Sequence, residues 1–350
     1  MSRAVPILLL GAALALPAVP AHAATDYYVA TTGSDANSGT STGTPFATIQ
    51  KALDTAPRGA TVHLASGTYL QDAVTIRSGV TITGPSTAVV KGAGNSRILQ
   101  IRHDSVTLDG FTIDGLFGSS SSKDGYRDKL VYVMSTSPGD GVGTLTIRNM
   151  RLKNAGGECL RLRYLITNAD VHDNTVGPCG VYDFKFNDGG KNGEGIYLGT
   201  APEQQGENGA PDAQADRSRN NHIHDNTIAT YGNECVDVKE NSTANVIEHN
   251  DCSQQKDASS GGLDARGSGN TFRYNTIHDN TGAGVRLGGD TETDGVDNDV
   301  YGNTIKNNAS GGVKFMRTPQ GQVCGNTMSG NTGGDSVGTY AADFEPAAAC

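Results

Sequence analysis

His172-Asp173-Asn174-Thr175 returns unchanged as His224-Asp225-Asn226-Thr227, and looser copies of the same turn follow it down the chain. Glu248-His249-Asn250-Asp251, Arg273-Tyr274-Asn275-Thr276, Tyr301-Gly302-Asn303-Thr304 and Cys324-Gly325-Asn326-Thr327 keep the asparagine, and Arg148-Asn149-Met150 stands ahead of them all. From Asn149 to Asn326 the steps are 25, 52, 24, 25, 28 and 23 residues. A period in this range belongs to solenoids, whose units are too short to bury a core alone and must stack. The step of 52 reads as two coils carrying an insertion. Stacking places equivalent residues in columns, so chemistry is expected on one face.

Short β-branched runs fill the space between turns, among them Val74-Thr75-Ile76, Val80-Thr81-Ile82, Phe111-Thr112-Ile113 and Leu145-Thr146-Ile147. Alternation with period two, bounded by Gly, Asn and Asp, marks strands. No helical pattern separates them, which excludes a doubly wound α/β fold. The reading is an all-β chain, a single right-handed parallel β-helix over residues 25–350. Ahead of it, Thr44 suits a helix N-cap and Pro45 a first helical position, with Phe46, Ile49 and Leu53 on one face. That helix is expected to cap the first coil's open edge. Polar stretches at 117–129 and 200–220 interrupt the coils and are candidates to wall a groove. The acidic stretch 288–299 lacks the EF-hand pattern and reads as a solvated loop, with calcium binding as its other use.

Arg3, an apolar run from Ile7 to Leu16 and Ala21-His22-Ala23 form an export leader, residues 1–24, too short to span a bilayer. A secreted protein acting as a monomer, with no membrane partner, is expected. The six cysteines are read as disulfides between neighbours, 159–179, 235–252 and 324–350, because each pair lies within about one coil. With no Cys-x-x-Cys or Cys/His cluster, a zinc site on these thiols is the weaker reading. Many glycines (47), no tryptophan and few aromatics fit short strands joined by turns. A net charge of −10 argues against nucleic acid as partner, and an anionic substrate would need local cations or a bound metal.

One strand per coil aligns by its apolar pair: Glu158–Arg163, Glu194–Gly199, Glu234–Lys239, Gly261–Arg266, Ala283–Gly288 and Gly311–Met316. Third and fifth positions are apolar and point inward, so the fourth and sixth point out. The fourth column reads Arg161, Tyr197, Asp237, Asp264, Arg286, Lys314 and the sixth Arg163, Gly199, Lys239, Arg266, Gly288, Met316. Glu158, Glu194 and Glu234 open the first three rows. Mixed carboxylates, lysine and arginine along a groove suit β-elimination of a uronate polysaccharide. That reaction neutralises the sugar carboxylate, with Ca²⁺ or an arginine, then removes the C5 proton and assists the leaving O4. A lysine can be the base where neighbouring cations lower its pKa. Arg161, Tyr197, Arg286 and Lys314 are the candidate contacts to an acidic polysaccharide.

At these residues the chain resembles the alginate lyase and chondroitinase B family of β-helical polysaccharide lyases. In that family a Glu stands five residues before a Lys base on one coil, and an Arg precedes a Gly and an Asn turn on the next. Here Glu234 stands five before Lys239, and Arg266 leads Gly267-Ser268-Gly269-Asn270. The resemblance spans roughly residues 190–290 and implies Lys239 as base, Arg266 as acid or leaving-group stabiliser, and Glu234 as a Ca²⁺ ligand. The family's second carboxylate is Gly232 here, so Glu194, Asp237 and Asp264 are taken as the substitute ligands. Tyr28–Thr40 also looks like the start of many secreted β-helix proteins, pectate lyases included. Two other functions stay open. One is a glycoside hydrolase using Asp237 and Asp264, although the Gly-His-Gly and Arg-Ile-Lys signatures of the polygalacturonase-like family are missing. The other is a non-catalytic glycan-binding solenoid. His222, His224, His249 and His278, beside the asparagine turns, are read as structural.

Overall fold

The computed structural model describes residues 25–350 except 189 and 191, together with Met1. The expected leader falls, Met1 apart, outside the described residues. Among the described residues no helix is long and apolar enough to cross a membrane.

The strands form three parallel sheets of 11, 10 and 10 members, visited in rotation. One turn of the solenoid runs from Val246–Glu248 in the first sheet to Asp251–Ser253 in the second and Gly261–Ala265 in the third. It returns to the first sheet at Thr271–Arg273, one rung on. This is the parallel β-helix read from the repeat. Its core is a set of inward stacks: Ile147, Val171, Ile223, Ile247, Phe272 and Val300 line the first sheet, and each is buried. Each such side chain contributes roughly 1.5–3 kcal/mol by leaving water.

The corners are held by amides. Asn174, Asn226, Asn250, Asn275, Asn303 and Asn326 are buried, and the Nδ2 of each of the first five donates to the Oδ1 one rung on at 2.9–3.1 Å, while Asn326 ends the ladder on backbone carbonyls. Two further ladders hold the other corners, Asn221-Asn245-Asn270-Asn298 and Asn280-Asn308-Asn331. Asn149 is not in the first ladder. Met150 takes that slot, its amide donating to Asn174 Oδ1, while Asn149 turns out to Asp109. The step of 52 is likewise one coil and not two, since Asp170–His172 pairs directly with His222–His224. The surplus goes into a short helix, Val181–Phe186, and the 199–219 loop.

The capping helix spans Ile49–Thr55, starting later than the sequence suggested. Thr48 is the N-cap, accepting from the Lys51 amide. Phe46 is kept out of the helix because its backbone is used elsewhere. Its amide donates to Tyr28 O and its carbonyl accepts from Ala30, extending the first strand's edge. Ile49, Ala52 and Leu53 are buried and cover the first coil. At the other end Phe344 stacks on Phe315 at 4.2 Å. The disulfides are Cys159–Cys179, Cys235–Cys252 and Cys324–Cys350, as neighbour pairing expected. Loops of 17–26 residues closed this way stabilise by about 3 kcal/mol each in the chain-entropy account.

Asn250→Ala removes two accepting and three donating contacts inside the stack. A loss of roughly 3 kcal/mol in unfolding free energy is expected by urea denaturation. A loss below about 0.5 kcal/mol would show that the ladder is ornamental.

Candidate functional site

The third sheet differs from the first in one respect. In the first, outward side chains remain partly exposed, whereas in the third they are covered from Tyr132 to Asp264. The register holds the fourth column together, pairing Arg161 with Tyr197, then Asp237, Asp264, Arg286 and Lys314 on successive rungs. Loops built from polar residues lie over this face and leave a cleft of about 470 Å³. Glu194, Tyr197, Glu234, Asp237, Lys239, Arg266, Arg286 and Asp290 reach it.

Asp237 is its hub. Lys239 Nζ lies 2.7 Å from Asp237 Oδ2, and Arg266 Nε lies 3.9 Å from Oδ1. Arg266 also reaches Asp264 at 3.5 Å and Asp290 at 3.0 Å. The 288–299 stretch is therefore not a free acidic loop, because Asp290 turns into the cleft and its amide donates to buried Glu240. Cations were expected to lower the pKa of Lys239, and its surroundings do the opposite. Burial draws the ammonium down, but Asp237 and Tyr197 outweigh it and hold the side chain above the ordinary lysine range. At 7% exposure Lys239 faces the cleft through a narrow opening.

Glu194, Glu234 and Asp237 bring carboxylate oxygens within 4.8 Å of one another, all buried. Burial and repulsion from Glu158 and Asp237 push Glu194 up to about 7. Burial, Asp237 and Glu194 push Glu234 well above its usual value. Ser260 Oγ donates to Glu234 and, at 2.9 Å, to Asp264. Three crowded carboxylates, of which Asp237 is the one ion-paired with Lys239, are a hard-oxygen donor set that fits Ca²⁺. Asp264 does not join them. It pairs with Arg286 at 3.1 Å, and although burial works against it, Arg286 and Arg266 hold its carboxyl below the ordinary range.

Tyr197 is no open stacking platform. Arg161 covers the ring at 3.4 Å and Lys239 lies 4.7 Å from its centroid. Arg161 is buried, paired with Glu158 at 2.7 Å and bonded to Gln204 at 2.9 Å. Lys314 donates to Ser259 O on the far rim. Upstream of the cleft, and sharing Asn192 and Gln204 with it, is a second cavity of about 240 Å³ lined by Arg97, Lys129, Arg161 and Arg163. Lys129 and Arg161 overcome burial to hold Glu158 near 2. Gln204, Glu207 and Asn208 carry the 200–220 loop over it, accepting from Arg163 and Arg97. That loop walls the groove; the 117–129 stretch forms a hairpin tied to the other insertion through Lys123 and Asp188, and only its end, Asp128 and Lys129, lines the second cavity. The column alignment does not reach Arg97, Ser260 or Asp290, and of these only Asp290 carries a signal in the sequence, its place in an acidic loop.

A family described as "Protein of unknown function (DUF1565)" matches residues 31–246. The chain belongs to the DUF1565 family. A description reading "Right handed beta helix region" matches residues 191–345, which agrees with the hand expected of this DUF1565 chain. No curated protein matches it. Among solved structures it is similar to an alginate lyase from Paenibacillus sp. str. FPU-7, at 16% identity and a TM-score of 0.62, over 81% of this chain and 96% of that one. It is similar to a polygalacturonase from Erwinia carotovora ssp. carotovora, at 16% and 0.59, over 94% and 97%. Pectate lyase Pel9A gives 14% and 0.57, over 90% and 78%. At such identities the likeness is one of fold, shared by lyases and a polygalacturonase alike.

The crowded acids generate a test. Glu194 is raised from 4.5 to about 7, so the unfolded chain gives up this proton first as pH rises. Stability is therefore lost between those two values, by about 3 kcal/mol when complete. With divalent cations chelated, Glu194→Gln is expected to stabilise the protein by that order near pH 8 and to change nothing near pH 4. Equal effects at both pH values would remove the crowding argument.

Proposed function

We propose that this protein is a secreted lyase of uronate-containing polysaccharide that works by β-elimination. One observation carries the reading: three crowded carboxylates, Lys239 and Arg266 converge around Asp237 in a single cleft on the covered face. Glu194, Glu234 and Asp237 are the residues that would hold Ca²⁺, which when bound neutralises the substrate carboxylate. Lys239 is the base in this reading, its Nζ taking the C5 proton. Asp237 holds that nitrogen protonated while its own charge is unshared, and burial and the Arg266 guanidinium both favour the neutral amine once that charge is compensated. Arg266, one-fifth exposed, faces the cleft mouth and stabilises charge on the departing O4. Arg286 holds Asp264 as a fixed acceptor and lines the same wall.

The hydrolase alternative is less well supported. Asp237 and Asp264 sit side by side on directly paired rungs. Each is also neutralised by its own cation, and Asp264 is held ionised, so neither is poised as a general acid. The four basic residues of the upstream cavity suit an acidic sugar, and the 200–220 loop closes the groove there, so a monomer working inward from a polymer end is the expected mode. The apolar run and Ala-x-Ala before residue 25, with three disulfides, support export.

Incubation with pectate, alginate and glycosaminoglycans should yield, for one of them, the ultraviolet absorbance of a conjugated unsaturated uronate. Lys239→Ala and Arg266→Ala should each lower that rate roughly 10²–10⁴-fold with the fold intact by circular dichroism. New reducing ends without the absorbance would make the protein a hydrolase. Full activity after exhaustive chelation would transfer neutralisation to Arg286, Arg161 or Lys314.

A further inference from the structure

The first sheet carries a second cluster, on the outer face of two adjoining rungs. Asp170 and His172 alternate along one strand, His222 and His224 along the next, and the register sets Asp170 beside His222 and His172 beside His224. All four point outward, since the residues between them, Val171 and Ile223, are core. The result is a two-by-two tile centred on one carboxylate. His224 Nε2 lies 2.9 Å from Asp170 Oδ1, His222 Nδ1 lies 4.0 Å from the same oxygen, and His172 Nε2 lies 3.9 Å from Oδ2. The rings are stacked, with centroids 3.9 Å apart for His222–His224 and 4.9 Å for His172–His224.

The second nitrogen of each ring is also engaged, and each time by a different carboxylate. His172 Nδ1 meets Asp173, His224 Nδ1 meets Asp225 and His222 Nε2 meets Glu248, all at 2.7 Å. Glu248 is in turn fixed by Arg273. A carboxylate on the far nitrogen is what orients a metal-ligating imidazole and raises its basicity. Asp170, His222 and His224 each offer one ligand atom, all within 4.8 Å of one another, and two imidazoles with a carboxylate, backed in this way, are the donor types of a borderline divalent cation. We propose that Asp170, His222 and His224, with His172 stacked beside them, form a binding site for a divalent transition cation, Zn²⁺ first among them.

The chain offers its own control. His278 repeats the arrangement with Asp279 at 2.7 Å and Asp251 at 3.1 Å, but it is a single ring. A purely structural His–Asp pair therefore looks like His278, and only the tile adds convergence. Access is open, with the side chains of Asp170 and His222 48% and 41% exposed. Position suggests the benefit. Asp170 and His172 precede the 52-residue step and His222 and His224 follow it, so one ion would staple the longest coil closed across its insertion. The oxygen-only trio in the cleft lies on another sheet and would suit a different, harder ion.

The test is calorimetric titration of the chelator-stripped full chain with Zn²⁺, alongside thermal unfolding with and without the ion. One Zn²⁺ per chain at micromolar affinity or tighter, with a raised Tm, is expected. The double variant His222→Ala/His224→Ala should lose both effects, and His278→Ala should keep them. Should the double variant fold poorly, Asp225→Asn, which leaves every ligand in place, should weaken Zn²⁺ roughly 10–100-fold. Co²⁺ in the folded wild type should give a visible absorption band that Zn²⁺ displaces. Absence of Zn²⁺ binding by wild type, or binding that survives both variants, overturns the site. Neither result depends on polysaccharide cleavage, so the lyase reading stands or falls separately.

Discussion

The amide stack at the coil corners is the constraint on which the rest of this molecule depends. Each buried asparagine must find partners along the axis, because an unmatched amide in the interior costs far more than a matched one gains. The side chain of Asn250 satisfies three carbonyl oxygens and two N–H groups on adjoining rungs, and no other residue type does this from one corner position. A rung that slipped by one residue would break the ladder and turn every core side chain outward. Three ladders, one at each corner, therefore fix the register of all three sheets over the coils from Asn174 onward.

Register is what turns sequence repetition into chemistry. On the third sheet, residues 22 to 40 apart become neighbours at the spacing of a parallel sheet, so a column of charges is a line of contacts. On the first sheet the line stays in water, where imidazoles and carboxylates alternate and remain reachable. On the third sheet the 200–220 and 288–299 loops cover it, and the same spacing forces charges together in a drier place, where each is worth more. Fold alone does not dictate which face becomes a site; the loops that cover one face do. The loops could vary without disturbing the ladders, because they leave the coil between strands and return to the same register.

Much of this was legible in the sequence, and what was not has identifiable causes. The third and fifth positions of the aligned rows predicted the core of the third sheet, and all are buried. The fourth column came out in the stated order because equal periods need no knowledge of the loops. Errors arose where the period was broken. The step of 52 looked like two coils because its length fits two, and only the pairing of Asp170 with His222 shows that one coil absorbs it. Thr44-Pro45 carried good helix-start chemistry, yet the edge of the first strand claimed Phe46. At the site, residue types and column neighbours were readable, but the balance of charges was not. Neighbouring cations lead to the expectation of a lowered Lys239 pKa, whereas Asp237 is the nearest charge and holds it up. The histidines of the first sheet were set aside one at a time. Their meaning lies in adjacency across a 52-residue gap, which a linear reading discounts.

The column itself shows why the cluster on the third sheet is not there for folding. From the first coil to the last it reads Val74, Gln100, Tyr132, Arg161, Tyr197, Asp237, Asp264, Arg286, Lys314, Val337. The solenoid thus builds the same outward position with uncharged residues at both ends, on identical backbone. Charge enters only over the middle rungs, and it enters unbalanced around Glu194 and Glu234, whose raised carboxyls are a destabilising feature near neutrality. Buried ion pairs such as Lys239–Asp237 are seldom better for stability than apolar residues of the same size. A chain selected for folding alone would have continued the valine and glutamine solution through these rungs. The middle of the column departs from it at an energetic cost, under the loops that exclude water, and that conjunction points to a ligand that the charges exist to meet.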